Sequence, residues 1–233
     1  MAKRTFSIDI GGSGIKGMVL DRKARPVNER VRIKTPERAS PKSVLKVIRK
    51  LAAVQPAFDR VSIGFPGVVE FGVTHSAPNL KGDWSEVPLA ALVSDITLRP
   101  CRVINDADMQ GYGAIQGRGV EMMITLGTGM GAAIFTNGHL APNLELGHHP
   151  WMGGESYEQR LGDAARKRIG NSRWSRRVAK AVDQMLVIWN PRVLYVGGGN
   201  AKKVGVKLPR RVKPVDNLAG ILGGVRLWDD EAH

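Results

Sequence analysis

DIGGSGIKG, residues 9–17, sets four glycines, one carboxylate and one lysine between apolar stretches. Thr5–Ile10 before it and Ile15–Asp21 after it alternate apolar and polar residues with the period of a strand. The glycine segment therefore joins two strands as a hairpin. Glycine permits positive φ and close backbone approach, so successive N–H groups can converge on an anion. A tight turn makes the same demand, and a single such loop reads as a turn.

A second loop changes the balance. Met122–Leu126 and Ala132–Phe135 read as strands joined by GTGMG, residues 127–131, and Asn137-Gly138 turns the chain into His139–Ala141. In the first half, Arg30–Thr35 makes a third strand, and Ser40-Pro41 opens a helix with Ser40 as N-cap. Its Val44, Val47, Ile48, Leu51 and Val54 fall on one face. Strands follow at Arg60–Phe65 and Arg102–Asn105, then a helix through Ala107–Gln116. In the second half, a helix spans Val178–Trp189, Val193–Val196 forms a strand running into GGGN, and Ala219–Leu227 closes the chain as a helix. Hairpin, glycine loop, helix and strand occur twice, which predicts two similar α/β lobes with a cleft between them.

Paired glycine loops in equivalent settings favour phosphate binding. Neither is a Walker A loop, because no GKS or GKT follows, and a dinucleotide fingerprint needs a helix after the first strand. Asp9 precedes the first loop, where a carboxylate can hold Mg²⁺ beside phosphates. Lys16 reads equally as a phosphate contact or a strand-surface lysine. Asp106 stands where a strand passes into a helix. It is a general base for phosphoryl transfer to a hydroxyl or a helix N-cap, and the glycine loops favour the base. In PNLELGHHP, residues 142–150, Glu145 and His148 can share a face and offer an acceptor and a donor to adjacent sugar hydroxyls. The His148-His149 pair matches no zinc spacing.

Net charge is +14, and residues 159–213 hold fifteen Lys and Arg against Asp163 and Asp183, or +13. Such a cluster attracts polyanions. Aromatic side chains for stacking bases are scarce there: Trp174, Trp189 and Tyr195, the last two expected to be buried. A polyphosphate chain needs only cations. Cys101 is the sole cysteine, which excludes an intrachain disulfide and a multi-thiolate zinc site. No apolar run is long enough for a membrane helix and no signal segment opens the chain, so a cytoplasmic protein is expected.

IDIGGSGIKG, GFPGVV, VINDAD, LGTGMGAA, ELGH and VGGGN, in that order, resemble the ROK family of sugar kinases and repressors, within the actin–hexokinase superfamily. HSAPNLKGDW (75–84), PNLELGHHP, SRWSRRVAKAV (172–182) and NLAGILGGV (217–225) are similar to the group using polyphosphate or ATP to phosphorylate glucose. The resemblance implies a two-lobed ribonuclease H-like fold with a central cleft. Residues 1–107 would form a small lobe joined by a terminal helix, 216–233, and 108–215 a large one. It implies Asp106 as the base on the sugar 6-hydroxyl. Gly67, Asn79, Asn105, Glu145, His148 and Glu158 would bind the sugar, with Glu155 the alternative to Glu158. Gly11, Gly12, Ser13, Lys16, Gly127, Thr128 and Gly129 would cradle donor phosphates. Gly197, Gly198 and Gly199 would lie by a nucleotide base.

Asp9 would organise Mg²⁺. Expected partners are glucose and polyphosphate or ATP, in a homodimer, with no membrane and no specific nucleic acid. Arg166, Lys167, Arg168, Arg173, Arg176, Arg177, Lys202, Lys203, Arg210 and Arg211 are candidates for a polyphosphate track, although most read individually as solvated helix faces. The sequence lacks the family's cysteine-rich zinc motif, a repressor role is not expected because the sequence starts at its first strand, and the segment after VGGGN is short. A strictly ATP-dependent hexokinase of this family, a silent sugar sensor and a nucleic-acid-binding protein are the other readings.

Overall fold

The structure is a computed structural model describing residues 3–229. It divides into two compact units: residues up to Gly113 together with those from Leu218 on, and Ala114–Asn217.

The first unit opens with the hairpin β1 (Thr5–Gly11) and β2 (Gly14–Leu20), so the turn is Gly12-Ser13. Then follow β3 (Val31–Ile33), α1 (Pro41–Ala53), β4 (Arg60–Phe65), and a small hairpin of β5 (Val69–Glu70) and β6 (Val73–Thr74). α2 (Leu89–Thr97), β7 (Cys101–Asn105) and α3 (Asp106–Ala114) complete this run. The sheet order is β3-β2-β1-β4-β7, with β1, β4 and β7 mutually parallel. β1 is buried on both faces. Phe6, Ile8 and Ile10 pack with Val44, Val47, Ile48 and Leu51 of α1 and Leu89 and Val93 of α2. Ser40 caps α1 through the Ser43 N–H at 3.4 Å, but Val54 lies past the helix end and is 63% exposed rather than part of its apolar face.

The opposite side is covered by the last helix, α7 (Ala219–Arg226). It approaches closely because the facing residues are small. The buried hydroxyls of Ser7 and Ser62 donate to the Ile221 and Gly224 carbonyls, both at 2.6 Å, so neither is left unsatisfied. Trp228 donates from Nε1 to Ser62 Oγ at 2.8 Å, and its ring carries the Arg60 and Arg102 guanidinium groups at 5.0 and 4.7 Å. Of the terminal helix expected at 216–233, residues 230–233 lie outside the described residues.

A Cβ at Gly223 would meet the Met109 carbonyl and, at 2.8 Å, the Gly113 nitrogen, both backbone atoms of α3. Backbone cannot rotate aside as a side chain can. Gly223→Ala is therefore expected to cost at least the ~1–3 kcal/mol of an overpacked core. The urea midpoint measures it, and a midpoint equal to the parent's would contradict this packing argument.

The second unit repeats the plan. β8 (Val120–Leu126) and β9 (Met130–Thr136) form its hairpin, followed by β10 (His139–Ala141) and the pair β11 (Pro150–Met152) and β12 (Glu155–Ser156). α4 (Tyr157–Leu161), α5 (Asp163–Ile169), α6 (Asn171–Ile188), β13 (Val193–Gly197) and β14 (Val212–Pro214) complete it. The order β10-β9-β8-β13-β14 matches the first sheet strand for strand, with β8, β13 and β14 parallel. α6 begins at Asn171, earlier than the apolar period announces, because its first two turns are mostly polar. Trp174 there is fully buried, donating Nε1 to the Leu161 carbonyl at 2.8 Å, so it offers no face to a base. Only a 3-10 turn, Ala201–Lys203, fills the short segment after GGGN. No helix among the described residues is long and apolar enough to cross a membrane.

Candidate active site

In the first unit the candidate groups gather at the carboxyl ends of parallel strands, where open α/β sheets bind ligands. Asp9 pairs in register with Gly64 of β4, and Gly64 with Ile104 of β7, so one row runs from Asp9 to the start of α3. Gly64 is needed there: a Cβ would lie 2.8 Å from Met109 Cε and 3.4 Å from Asp106 Cα. Asp106 is half-buried at the first position of α3, where the helix dipole favours negative charge. Asn105 takes the capping role. Its Oδ1 accepts from the Ala107 N–H at 2.7 Å and the Asp108 N–H at 3.4 Å. Its Nδ2 donates to the Gly67 carbonyl at 3.1 Å, so Asn105 braces the helix start against GFPG.

A side chain at Gly67 would strike the Ser76 carbonyl, so GFPG lies flat on the segment leading to Asn79. Asn79 is exposed, and its carbonyl lies 3.0 Å from a Cβ built on Gly12. Asn105, next to Asp106, thus bonds Gly67, Gly67 lies against Ser76, and Asn79, three residues further along, lies against Gly12. Lys16 binds the Asp9 carboxylate, Nζ to Oδ2 at 2.7 Å, directly across β1–β2. Thr35 donates from Oγ1 to the Gly11 carbonyl at 2.5 Å.

In the second unit the Gly127–Gly131 loop is held by its carbonyls. The Asp163 N–H donates to Gly127 O at 3.0 Å and Thr128 O at 3.1 Å, and Asn200 Nδ2 donates to Gly127 O at 3.1 Å. Asn200 also reaches Asp163 Oδ1 at 3.0 Å. Lys167 and Arg166, each at 2.8 Å, hold the Asp163 carboxyl far below the usual carboxylate range. In the sequence Asp163 is an acid in a basic segment and Asn200 the end of a motif, and nothing there signals this role. At Gly198, φ is +85° and a Cβ would lie 2.6 Å from the Leu126 nitrogen, so the loop after β13 presses on the end of β8.

Glu158, Glu145 and His148 come together beside that loop. Glu158 Oε2 accepts from the Met130 N–H at 3.2 Å, and a side chain on Gly129 would collide with its carboxylate. Glu145 lies 3.4 Å from His148 Nε2. Burial raises the Glu145 pKa, His148 opposes that, and the charge of Glu158 reinforces it. The group can thus accept and donate hydrogen bonds to a polyol. Glu155 lies apart from this group, paired with Arg160 at 2.6 Å and Arg168 at 3.7 Å. Among the track candidates, Arg166 and Lys167 pair with Asp163, Arg168 with Glu155, and Lys202 with Asp216 at 3.8 Å.

Mg²⁺ typically takes one or two carboxylates, keeps several waters and shares substrate phosphates. Among the described residues no three His, Cys, Asp or Glu cluster as a metal cage. Lys16 engages Oδ2 of Asp9, two residues before the end of β1. A single carboxylate beside a glycine turn fits a Mg²⁺ that takes its other ligands from water and a bound phosphate.

Two mixed five-stranded sheets of matching order, each opened by a glycine hairpin, define the actin-like kinase fold class. The structure of an inorganic polyphosphate/ATP-glucomannokinase from Arthrobacter sp. strain KM matches with TM-score 0.87 at 33% identity, over 96% of this chain and 97% of that one. A ROK family glucokinase from Streptomyces griseus, solved with glucose and AMPPNP, shares the fold at TM-score 0.80 and 20% identity, over 96% and 98%. Polyphosphate glucokinases of Mycobacterium leprae and Mycobacterium tuberculosis are each 32% identical across 94% of this chain and 73% and 88% of theirs. The ROK family description matches residues 5–155. The chain belongs to the ROK family.

Proposed function

We propose that the protein is a glucokinase that transfers the terminal phosphoryl group of inorganic polyphosphate, and of ATP, to the 6-hydroxyl of glucose. The observation that carries this reading is the setting of Asp106. It stands at the parallel strand ends with Asp9 and the glycine turn, and Asn105 relieves it of capping. Asp106 accepts the hydroxyl proton as the sugar oxygen bonds to the terminal phosphorus. The bond from that phosphorus to its bridging oxygen breaks, and the donor leaves one phosphate shorter.

Asn79, Glu145, His148 and Glu158 bind sugar hydroxyls in this reading, with Gly67 and Asn105 shaping the wall beside the base. Gly11, Gly12, Ser13, Lys16, Gly127, Thr128 and Gly129 contact donor phosphates, and Gly197, Gly198 and Gly199 lie by the base of ATP. Asp9 holds Mg²⁺, which when bound neutralises charge on the donor phosphates. The names of the two mycobacterial relatives and the +13 segment support polyphosphate as donor. A polyphosphate chain, like a nucleic-acid backbone, binds cations with strong salt dependence.

A coupled assay crossing polyphosphate and ATP with glucose, mannose and glucosamine tests the reading. Glucose is expected to be phosphorylated from polyphosphate, and added salt to inhibit that reaction more than the ATP reaction. Turnover with ATP alone would leave an ATP-dependent hexokinase. Glucose binding without product from either donor would leave a sugar-binding protein.

A further inference from the structure

The first glycine turn has an attendant that the second lacks. Arg32 on β3 faces Lys16 in the sheet register and donates from Nη2 to the Ser13 carbonyl at 2.8 Å. Its guanidinium lies over Gly14 so closely that a Cβ there would sit 2.7 Å from Cζ. Glycine at position 14 is therefore what lets the cation reach the turn. Arg32 is exposed and has no carboxylate partner among the described residues, whereas Lys16 is already paired with Asp9. The guanidinium has five N–H donors in a planar fork, and the structure engages one of them.

The asymmetry between the repeated halves makes this placement informative. β3 pairs with β2 as far as Ile15, next to the turn. β10 pairs only with Ile134–Thr136, the end of β9 remote from its loop. The Gly127–Gly131 loop is fastened instead by Asp163 and Asn200, and the charge of Asp163 is balanced by Lys167 and Arg166. Among the described residues, the first turn thus receives a hydrogen bond from a cation that has no carboxylate partner, and the second loop does not.

We propose that Arg32 is a donor-binding residue: it fixes the Gly12-Ser13 turn through the Ser13 carbonyl and presents its remaining N–H groups to the phosphoanhydride oxygens of the donor. The proposal rests on the reading of this turn as the donor-phosphate site. A planar fork suits two oxygens of one phosphate better than the point charge of a lysine does.

Calorimetric binding of inorganic tripolyphosphate to the full chain tests this without requiring turnover. Arg32→Gln is expected to weaken binding about tenfold, the scale of one charge-assisted hydrogen bond. Arg32→Lys is expected to fall between Gln and the parent. Where the parent turns over, the KM for donor rises by the same factor in Arg32→Gln, while the KM for glucose stays within about twofold. Equal tripolyphosphate affinity for Arg32→Gln and the parent would overturn the proposal. So would Arg32→Lys binding no better than Arg32→Gln, since the loss would then come from a disturbed turn rather than a missing cation. Absence of turnover in the parent, with affinity still falling in Arg32→Gln, would count against the kinase reading alone.

Discussion

Asp106→Asn is expected to retain the fold and lose about 10²–10⁴ in the rate of sugar phosphorylation, the usual contribution of a general base. The substitution keeps the side chain's size and removes its capacity to take a proton. Position 106 also permits a clean test. Many carboxylates at a helix start act as caps, and removing one costs stability as well as activity. Here Asn105 Oδ1 satisfies the N–H groups of Ala107 and Asp108, so the cap survives the change. The thermal midpoint is expected to stay near the parent's, and the KM for glucose to change far less than kcat. That split identifies a group acting in the transition state rather than in binding. Activity within threefold of the parent would remove Asp106 from the role of base. A collapse of stability together with activity would mean that the carboxylate holds the junction of β7 and α3 instead.

The contrast between Asn105 and Asp106 illustrates what the sequence could and could not disclose. Strand alternation and glycine spacing are visible along the chain, so both hairpins and most sheet strands lie within a few residues of where the sequence puts them. A cap depends on which of two adjacent side chains turns back over the helix, and composition does not distinguish Asn105 from Asp106. Glu155 and Glu158 pose the same difficulty. They differ by where β12 ends and α4 begins, a boundary marked by the Ser156–Gln159 capping box. α2 carries no such signal: Pro88 precedes it without a side-chain cap, and its nine residues are too short a run for the apolar ones to declare a helical period. The covering of the sheet by α7 is hidden in the sequence for a different reason. It depends on Ser7, Ser62, Gly113 and Gly223 being small, and small residues leave no periodic signal. Arg32 belongs to this last kind: its value comes from a neighbour eighteen positions away in sequence, Gly14, that lacks a side chain.

Glu121→Gln is expected to produce the largest loss of stability, about 3–5 kcal/mol near neutral pH, the scale of breaking a buried charged cluster. Glu121 is fully buried at the start of β8, yet it is surrounded by donors. Its carboxylate accepts from the N–H groups of Gln116, Gly117 and Arg118 at 3.0, 2.7 and 3.0 Å. It also accepts from the Tyr195 hydroxyl at 3.0 Å and Arg192 Nη2 at 3.3 Å. Burial pushes its pKa up, but the N–H groups of Gln116 and Arg118, the Tyr195 hydroxyl and the Gly117 N–H outweigh burial and hold it below the ordinary glutamate value. A glutamine would turn an amide NH₂ toward donors that need an acceptor. Because the folded pKa is depressed, the stabilisation is fully present above the unfolded glutamate pKa and is lost as pH falls through the folded one. The stability gap between parent and Glu121→Gln, read from urea unfolding, should therefore be widest near pH 7 and narrow in acid. A gap that does not change with pH would mean that Glu121 contributes through shape alone. The outcome also bears on the proposed donor site, because β8, anchored at one end by this carboxylate, leads at its other end into Gly127–Gly131.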